Sequence, residues 1–247
     1  MNDHMYIVAG LRRTGIHAIA LWAFRQFKGD SVLYNDVPIG TCPRTIPRTN
    51  IFTGTGKFPG RGPHPCVMVL HEDRGVAAAA GSKPGITLGP ASHVHRVMIL
   101  RDPWNMLASR ITWGRKPKAH APLCDPKHGR LLWVEYAREF LTHRYCPSAV
   151  CVNYNRWVSD ENYRASIGEK LSLPDPHKAP TEVSWFGGGS SYTACNVPAA
   201  EMPVLSRWRG MIHDKQFRSF ALHPLLFNLG ARIFGEKFCN EIRKAMQ

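Results

Sequence analysis

The stretch Tyr6-Ile7-Val8-Ala9-Gly10-Leu11-Arg12-Arg13-Thr14-Gly15-Ile16-His17 decides how this chain is read. Its first four residues form a short apolar run that fits a buried strand. Gly10 and Gly15 then bracket four residues, and beyond them Ile16, Ile19, Ala20, Ala23 and Phe27 recur on one helical face, with Gly29 as a stop signal. Strand, tight glycine-bracketed loop and helix together make the geometry that wraps backbone N–H groups around an anion at a helix N-terminus. The plainer alternative is a strand–turn–helix junction carrying surface arginines, and this stretch alone fits both.

Working outward, the same alternation repeats. Cys66 to Leu70 reads as a second buried strand ending at His71-Glu72-Asp73, Val97 to Leu100 as a third ending at Arg101, and Ala149 to Val152 as a fourth leading to Asn153-Tyr154. Asp102 is a good N-cap and Pro103 a good first helical residue. Helices are expected from there past Ile111, over about Arg130 to His143, after Ser159 or Asp160, and from Phe217 onward with a break at Pro224. Residues 38–65, 81–92 and 114–128 read as loops, the first long, basic and rich in Pro and Gly. Short apolar strands alternating with helices predict an α/β fold, a mainly parallel central sheet flanked by helices, in one domain over residues 1–247. Ligands of such sheets bind at the carboxyl ends of the strands, which directs attention to Arg13, His71, Arg101 and Tyr154.

Composition narrows the partners. Lys and Arg number 32 against 18 Asp and Glu, a formal charge of +14, which implies an anionic partner: nucleotide, sulfated or phosphorylated substrate, nucleic acid or anionic membrane. A 44% hydrophobic content argues against disorder. No apolar run approaches the roughly 18 residues of a membrane span, and Met5 to Ala9 is too short for a secretory leader. The 7 cysteines form no CxxC pair and read as reduced thiols of a cytoplasmic protein. His93 and His95 suggest a metal only if a further ligand lies nearby, and none does at a metal-site spacing. No metal is expected.

Two sites carry the chemistry. The Gly10 to His17 loop begins like the phosphate-binding pattern GxxxxGK[ST] but ends in Ile16 and His17, so the lysine and the Mg²⁺-holding hydroxyl are missing and the cation sits earlier, at Arg13. The second site is Arg101-Asp102-Pro103-Trp104-Asn105-Met106-Leu107-Ala108-Ser109-Arg110. Asn105 and Ser109 share a helix face at i, i+4, opposite the apolar Trp104, Leu107, Ala108 and Ile111. A strand-end arginine and a hydroxyl on one cleft suit a phosphate dianion. In the plainer alternative Arg101 pairs with Asp102 and Ser109 is merely exposed.

Together, the loop and the later RxxxxxxxS resemble the signature pair of the sulfotransferases that use 3′-phosphoadenosine 5′-phosphosulfate, over roughly residues 5–220. The resemblance implies a P-loop-type nucleotide-binding fold. It places Arg12, Arg13, Thr14, Gly15, Ile16 and His17 on the 5′-phosphosulfate, with Arg13 at the family's lysine position, and Arg101 and Ser109 on the 3′-phosphate. Val152 to Trp157 and Asn162 to Arg164 resemble the strand and helix that follow in many members. The family's Arg-Lys-Gly loop is absent. Trp185 to Tyr192 resembles a Gly-rich segment of some bacterial-type members; within it Gly187 to Ser191, with Gly188 and Gly189, either covers the nucleotide with backbone N–H groups or forms a plain loop. His17 can stand in as a donor for the hydroxyls the family often carries there.

The implied reaction is in-line transfer of a sulfonate to an acceptor hydroxyl or amine of a glycan or small molecule, with Arg13 stabilising the developing charge. The base is expected just after the second strand, as His71 or Glu72, with His71 slightly preferred and Asp73 least; a capping role for this cluster is the alternative. A P-loop kinase would need Lys and Ser/Thr after Gly15. A nucleic-acid-binding protein would need a basic stripe or a recognised module, and the basic residues here are spread out.

Overall fold

The computed structural model of the chain describes residues 1–57, 59–60, 62–116, 125–180 and 202–247. Six strands among them form one sheet in the order β3-β2-β4-β1-β5-β6: β1 (Asn2–Gly10), β2 (Val32–Tyr34), β3 (Ile51–Thr53), β4 (Cys66–Glu72), β5 (Ala91–Leu100) and β6 (Val150–Asn153). All neighbours pair in parallel except β2 with β3. β2 and β3 lie where the sequence reading placed no strand; at three residues each they are too short to show periodicity.

Side chains alternate strictly across the pleat. Tyr6 and Val8 of β1, Cys66, Met68 and Leu70 of β4, and Val97 and Ile99 of β5 join the core under α1 (Ile16–Phe24). Met5 and Ile7, with Val67 and Val69, face the other layer, where they meet Val37, Ile46 and Leu88. Met98 and Leu100 pack there against α4 (Pro103–Gly114), α5 (Pro126–Thr142) and the C-terminal helices α8 (Lys215–Ala221), α9 (Pro224–Phe234) and α10 (Glu236–Ala245). Burial on both faces explains why these strands read as unbroken apolar runs. The remaining helices are α2 (Val76–Ala80), α3 (Gly85–Leu88), α6 (Tyr154–Ser159) and α7 (Glu161–Lys170).

Local chemistry sets the helix ends. Asp102 accepts from the Asn105 amide and Pro103 occupies the first turn of α4; Asp160 caps α7 by accepting from Tyr163. Two expectations change. α1 stops at Phe24, before Gly29, because Leu21, Trp22 and Phe24 are buried as well and the chain must turn out of the core. Over Pro103 to Ile111 α4 has no solvent face, because the Val204–Trp208 segment covers Asn105 and Ser109.

The chain leaves β1 toward β2 on one side and leaves β5 toward β6 on the other. The crevice between the carboxyl ends of β1 and β5 is therefore the topological switch point, where open α/β sheets bind ligands.

Candidate functional site at the carboxyl edge of the sheet

The Gly10–His17 loop follows β1 into that crevice. Arg13 (φ 71°) and Gly15 (φ 86°) both lie in the left-handed region. The Thr14 amide and hydroxyl donate to the Leu11 carbonyl at 3.1 and 2.6 Å, which closes the turn. Gly15 is required twice, for its positive φ and because an added Cβ would stand 2.0 Å from the Tyr154 ring. The Ile16 and His17 amides open α1 ahead of the first helical bonds, which run from Ala18 and Ile19 to the Gly15 carbonyl, so the loop offers an anion cradle with the positive end of the helix dipole.

The adjacent arginines go to different surroundings. The Arg12 guanidinium contacts Asp36 and lies 3.5 Å from Glu72 and 3.6 Å from Asp73, while the Arg12 amide donates to Asp73 at 2.9 Å. Burial opposes its charge, and the carboxylates of Glu72, Asp36 and Asp73 outweigh that and raise its pKa. Arg12 thus ties the loop to β4 and to the turn after β2. Arg13 instead stacks over Trp113 of α4 at 4.7 Å.

Arg101, 2% exposed, links the two expected phosphate sites. Its Nη1 donates to the Arg13 carbonyl at 3.0 Å, its Nη2 donates to the Val204 carbonyl, and its plane lies 5.2 Å from the Tyr154 ring. Nε of Arg101 is buried and makes no hydrogen bond. It does not pair with Asp102, whose carboxylate is taken by Asn105 and Asn155. Ser109 Oγ donates to the Asn105 carbonyl at 2.8 Å and accepts from Arg207 Nη1 at 3.0 Å. One short segment therefore touches both residues, Val204 on Arg101 and Arg207 on Ser109. Arg207 escaped the sequence reading; its only signal is its place beside Trp208, which is buried and whose amide donates to Asn105 Oδ1.

His71 and Glu72 both belong to β4 rather than following it, so they face opposite sides of the sheet. His71 continues the Val67–Val69 face away from α1. It is buried, with Nδ1 2.8 Å from the Val37 carbonyl and Nε2 2.8 Å from Ser82 Oγ. Burial lowers its pKa, and Arg74 and Arg96 add to this against the Val37 hydrogen bond. Glu72 is on the α1 side, with Oε2 3.5 Å from Arg12 Nη1 and Oε1 3.6 Å from His17 Nε2. His17 Nε2 also lies 2.8 Å from Asn35 Oδ1. Asp73 bridges Arg12 and the fully buried Arg110. The carboxyl edge thus brings together Arg12, Arg13, Thr14, Gly15, Ile16, His17, Glu72 and Arg101. Ser109 stands under Arg207, and His71 belongs to the other layer. Gly188 and Gly189 lie outside the described residues.

At the opposite, amino edge, His4 supplies what His93 and His95 lacked in the sequence, a third imidazole: its ring stacks on His93 at 4.9 Å and on His95 at 5.8 Å. Among the described residues no group of three or more His, Cys, Asp or Glu is arranged to hold a metal ion. No helix among them is long and apolar enough to cross a membrane.

No family model matches the chain, and no curated protein sequence matches it. Among solved structures, the chain is similar to mouse sulfotransferase SULT7A1 complexed with PAP, with a TM-score of 0.52 and 10% identity, over 98% of this chain and 88% of that one. The two share a fold, a mostly parallel sheet flanked by helices, as the resemblance read in the sequence implied.

Proposed function

We propose that this sulfotransferase-like fold serves sulfonate transfer from 3′-phosphoadenosine 5′-phosphosulfate to an acceptor hydroxyl or amine. The observation that carries the reading is Arg101, which leaves β5 at the switch point and donates to the backbone of the very loop that forms the anion cradle. Two anion sites joined by one buried guanidinium suit a nucleotide with phosphates at both ends of its ribose better than a linear triphosphate. The loop amides and Arg13 hold the phosphosulfate, and Arg13 offsets charge developing on the bridging oxygen. The 3′-phosphate is assigned to Arg101 and Ser109 with Arg207 beside them, which requires the Val204–Trp208 cover to lift and the phosphate to replace the Val204 carbonyl on Arg101. Of the two expected bases, Glu72 is on the loop's side of the sheet. The basic stretches of sequence at 44–61 and 114–130 suit an acidic or glycan acceptor.

Calorimetry with adenosine 3′,5′-bisphosphate, AMP, ATP and duplex DNA tests this. The bisphosphate is expected to bind most tightly. Equal affinity for all three nucleotides, or preference for ATP or DNA, refutes the assignment. A labelled-sulfonate screen against glycans, phenols, lipids and peptides then identifies the acceptor.

A further inference from the structure

Arg12 and Arg13 are neighbours held in different ways. Carboxylates of Asp36, Glu72 and Asp73 surround the Arg12 guanidinium. Arg13 lies at φ 71°, a left-handed backbone that side chains seldom adopt, and the structure fixes it there. Its carbonyl accepts from Arg101 Nη1 at 3.0 Å, and the next residue, Thr14, is tied to the Leu11 carbonyl by its amide and hydroxyl. Farther out, the Arg13 guanidinium carbon lies 4.7 Å from the centre of the Trp113 ring, inside the range of about 6 Å over which an indole face attracts a cation. Nε of Arg13 is buried and makes no hydrogen bond. Trp113 extends from the last turn of α4, one turn beyond Ser109 and Arg110, and the fully buried Arg110 side chain pairs with Asp73. Lys116 Nζ lies 5.3 Å from the same ring. The chemistry of the holder matters. A carboxylate cancels the charge of its guanidinium, whereas an indole holds a cation by the quadrupole of its face and leaves the charge whole.

We infer that Trp113 is a positioning residue of the transfer, whose ring holds the Arg13 guanidinium in one orientation for the phosphosulfate without neutralising it. The inference rests on the sulfonate-transfer reading above. With water as the acceptor, its oxygen bonds to sulfur and its proton leaves to the buffer. The bond from sulfur to the 5′-phosphate oxygen breaks, that oxygen keeps the electron pair, and the products are sulfate and adenosine 3′,5′-bisphosphate. The charge that builds on the departing oxygen is the charge Arg13 offsets, and a guanidinium already held in place needs no rearrangement as that charge develops. Arg12, with its carboxylates about it, is not available for this part. The pairing has no signal in the sequence, because only the fold lays the end of α4 beside the loop.

Water serves as the probe acceptor, with release of labelled sulfate from the phosphosulfate nucleotide as the readout. Calorimetry with adenosine 3′,5′-bisphosphate, which has no sulfonate, is the parallel measurement. Trp113→Leu is expected to lower turnover roughly 2- to 30-fold, the worth of one cation–π contact, while bisphosphate affinity changes by less than about threefold. Trp113→Phe, which keeps an aromatic face, is expected to retain more turnover than Trp113→Leu. Tetrafluorotryptophan placed at position 113 keeps the shape of the ring and strips the negative potential from its face. It is expected to lower turnover in a folded protein, which a merely structural role would not produce. In the Arg13→Ala background, Trp113→Leu is expected to change nothing further, and Lys116→Ala is expected to keep its turnover. If the wild type binds no bisphosphate, or releases sulfate no faster than solution, the nucleotide reading fails and this inference with it. If binding is intact and tetrafluorotryptophan leaves turnover unchanged, only the positioning role falls. It falls as well if Trp113→Leu slows the Arg13→Ala protein just as much, or if Lys116→Ala takes the whole loss. A rise in turnover when the ring is removed would mean that the stack holds Arg13 away from the phosphosulfate, and overturns the inference.

Discussion

At the carboxyl edge of the sheet Arg12, Arg74 and Arg110 interleave with Asp36, Glu72 and Asp73, whereas at the amino edge of β1 and β5 His4, His93 and His95 stack on one another and on Tyr6. Both edges gather ionisable groups over the same strands. The carboxyl edge pairs these cations with these carboxylates; the amino edge is built on stacked rings. Burial lowers the pKa of His4, and the neighbouring His93 adds to this; burial together with His4 and His93 brings His95 down to about 4. The difference shows two ways of seating ionisable groups on the same strands: as ion pairs around the Gly10–His17 loop, and as stacked rings at the far end.

The largest expected effect breaks the paired edge. Arg110 is fully buried and its partner is Asp73, which also accepts from the Arg12 amide. Asp73→Ala leaves a buried guanidinium uncompensated and should cost about 3–5 kcal/mol in urea unfolding. Glu241→Ala, which removes the exposed partner of Arg209, should cost less than about 1 kcal/mol by the same measurement. Similar losses from the two would show that burial does not set the strength of the edge.

Arg101→Ala sharpens the functional side. Losing charge-assisted hydrogen bonds of about 1.5–3 kcal/mol should weaken adenosine 3′,5′-bisphosphate binding roughly 10- to 150-fold and bring it near AMP. An unchanged preference would place the 3′-phosphate elsewhere.

The amino edge is tested by pH. His4 and His95 are lowered bases, so the unfolded chain takes up their protons first, near the ordinary histidine value of about 6.5. The stability of the neutral stack is therefore complete above that value and is lost as pH falls from about 6.5 toward about 4. Thermal unfolding across this window should show a falling midpoint in the wild type and a shallower fall in His95→Phe. Parallel curves would mean that His95 takes up its proton as readily in the folded state as in the unfolded one. The smallest expected effect is none: with Ile16 and His17 where a Mg²⁺-binding hydroxyl would stand, sulfate release should be unchanged in excess EDTA.

Residues with local signals were legible before any coordinates. The apolar runs of β1, β4, β5 and β6 declared buried strands because both sheet faces are covered, and Asp102-Pro103 and Asp160 declared helix starts because an N-cap acts on amides two or three residues away. Gly10, Gly15 and the arginines between them marked the crevice, since only a loop of that shape requires a glycine where α1 begins. Strands as short as β2 and β3 carry no period, so Asn35 and Asp36, which follow β2, went unnoticed as site residues.

By itself the sequence determined the alternation of strands and helices, the glycine-bracketed loop between the first strand and helix, and the strand-end position of Arg101, because each depends on residues close together in the chain. Pleat parity also follows from sequence, and it places His71 and Glu72 on opposite faces once both belong to β4. Only the tertiary structure decided which face holds α1, and therefore that Glu72 lies behind His17 while His71 reaches Val37 and Ser82. The cover that Val204 and Arg207 lay over Arg101 and Ser109 was decided there too. Those contacts join segments about a hundred residues apart, and packing across such a distance leaves no periodic trace in either segment.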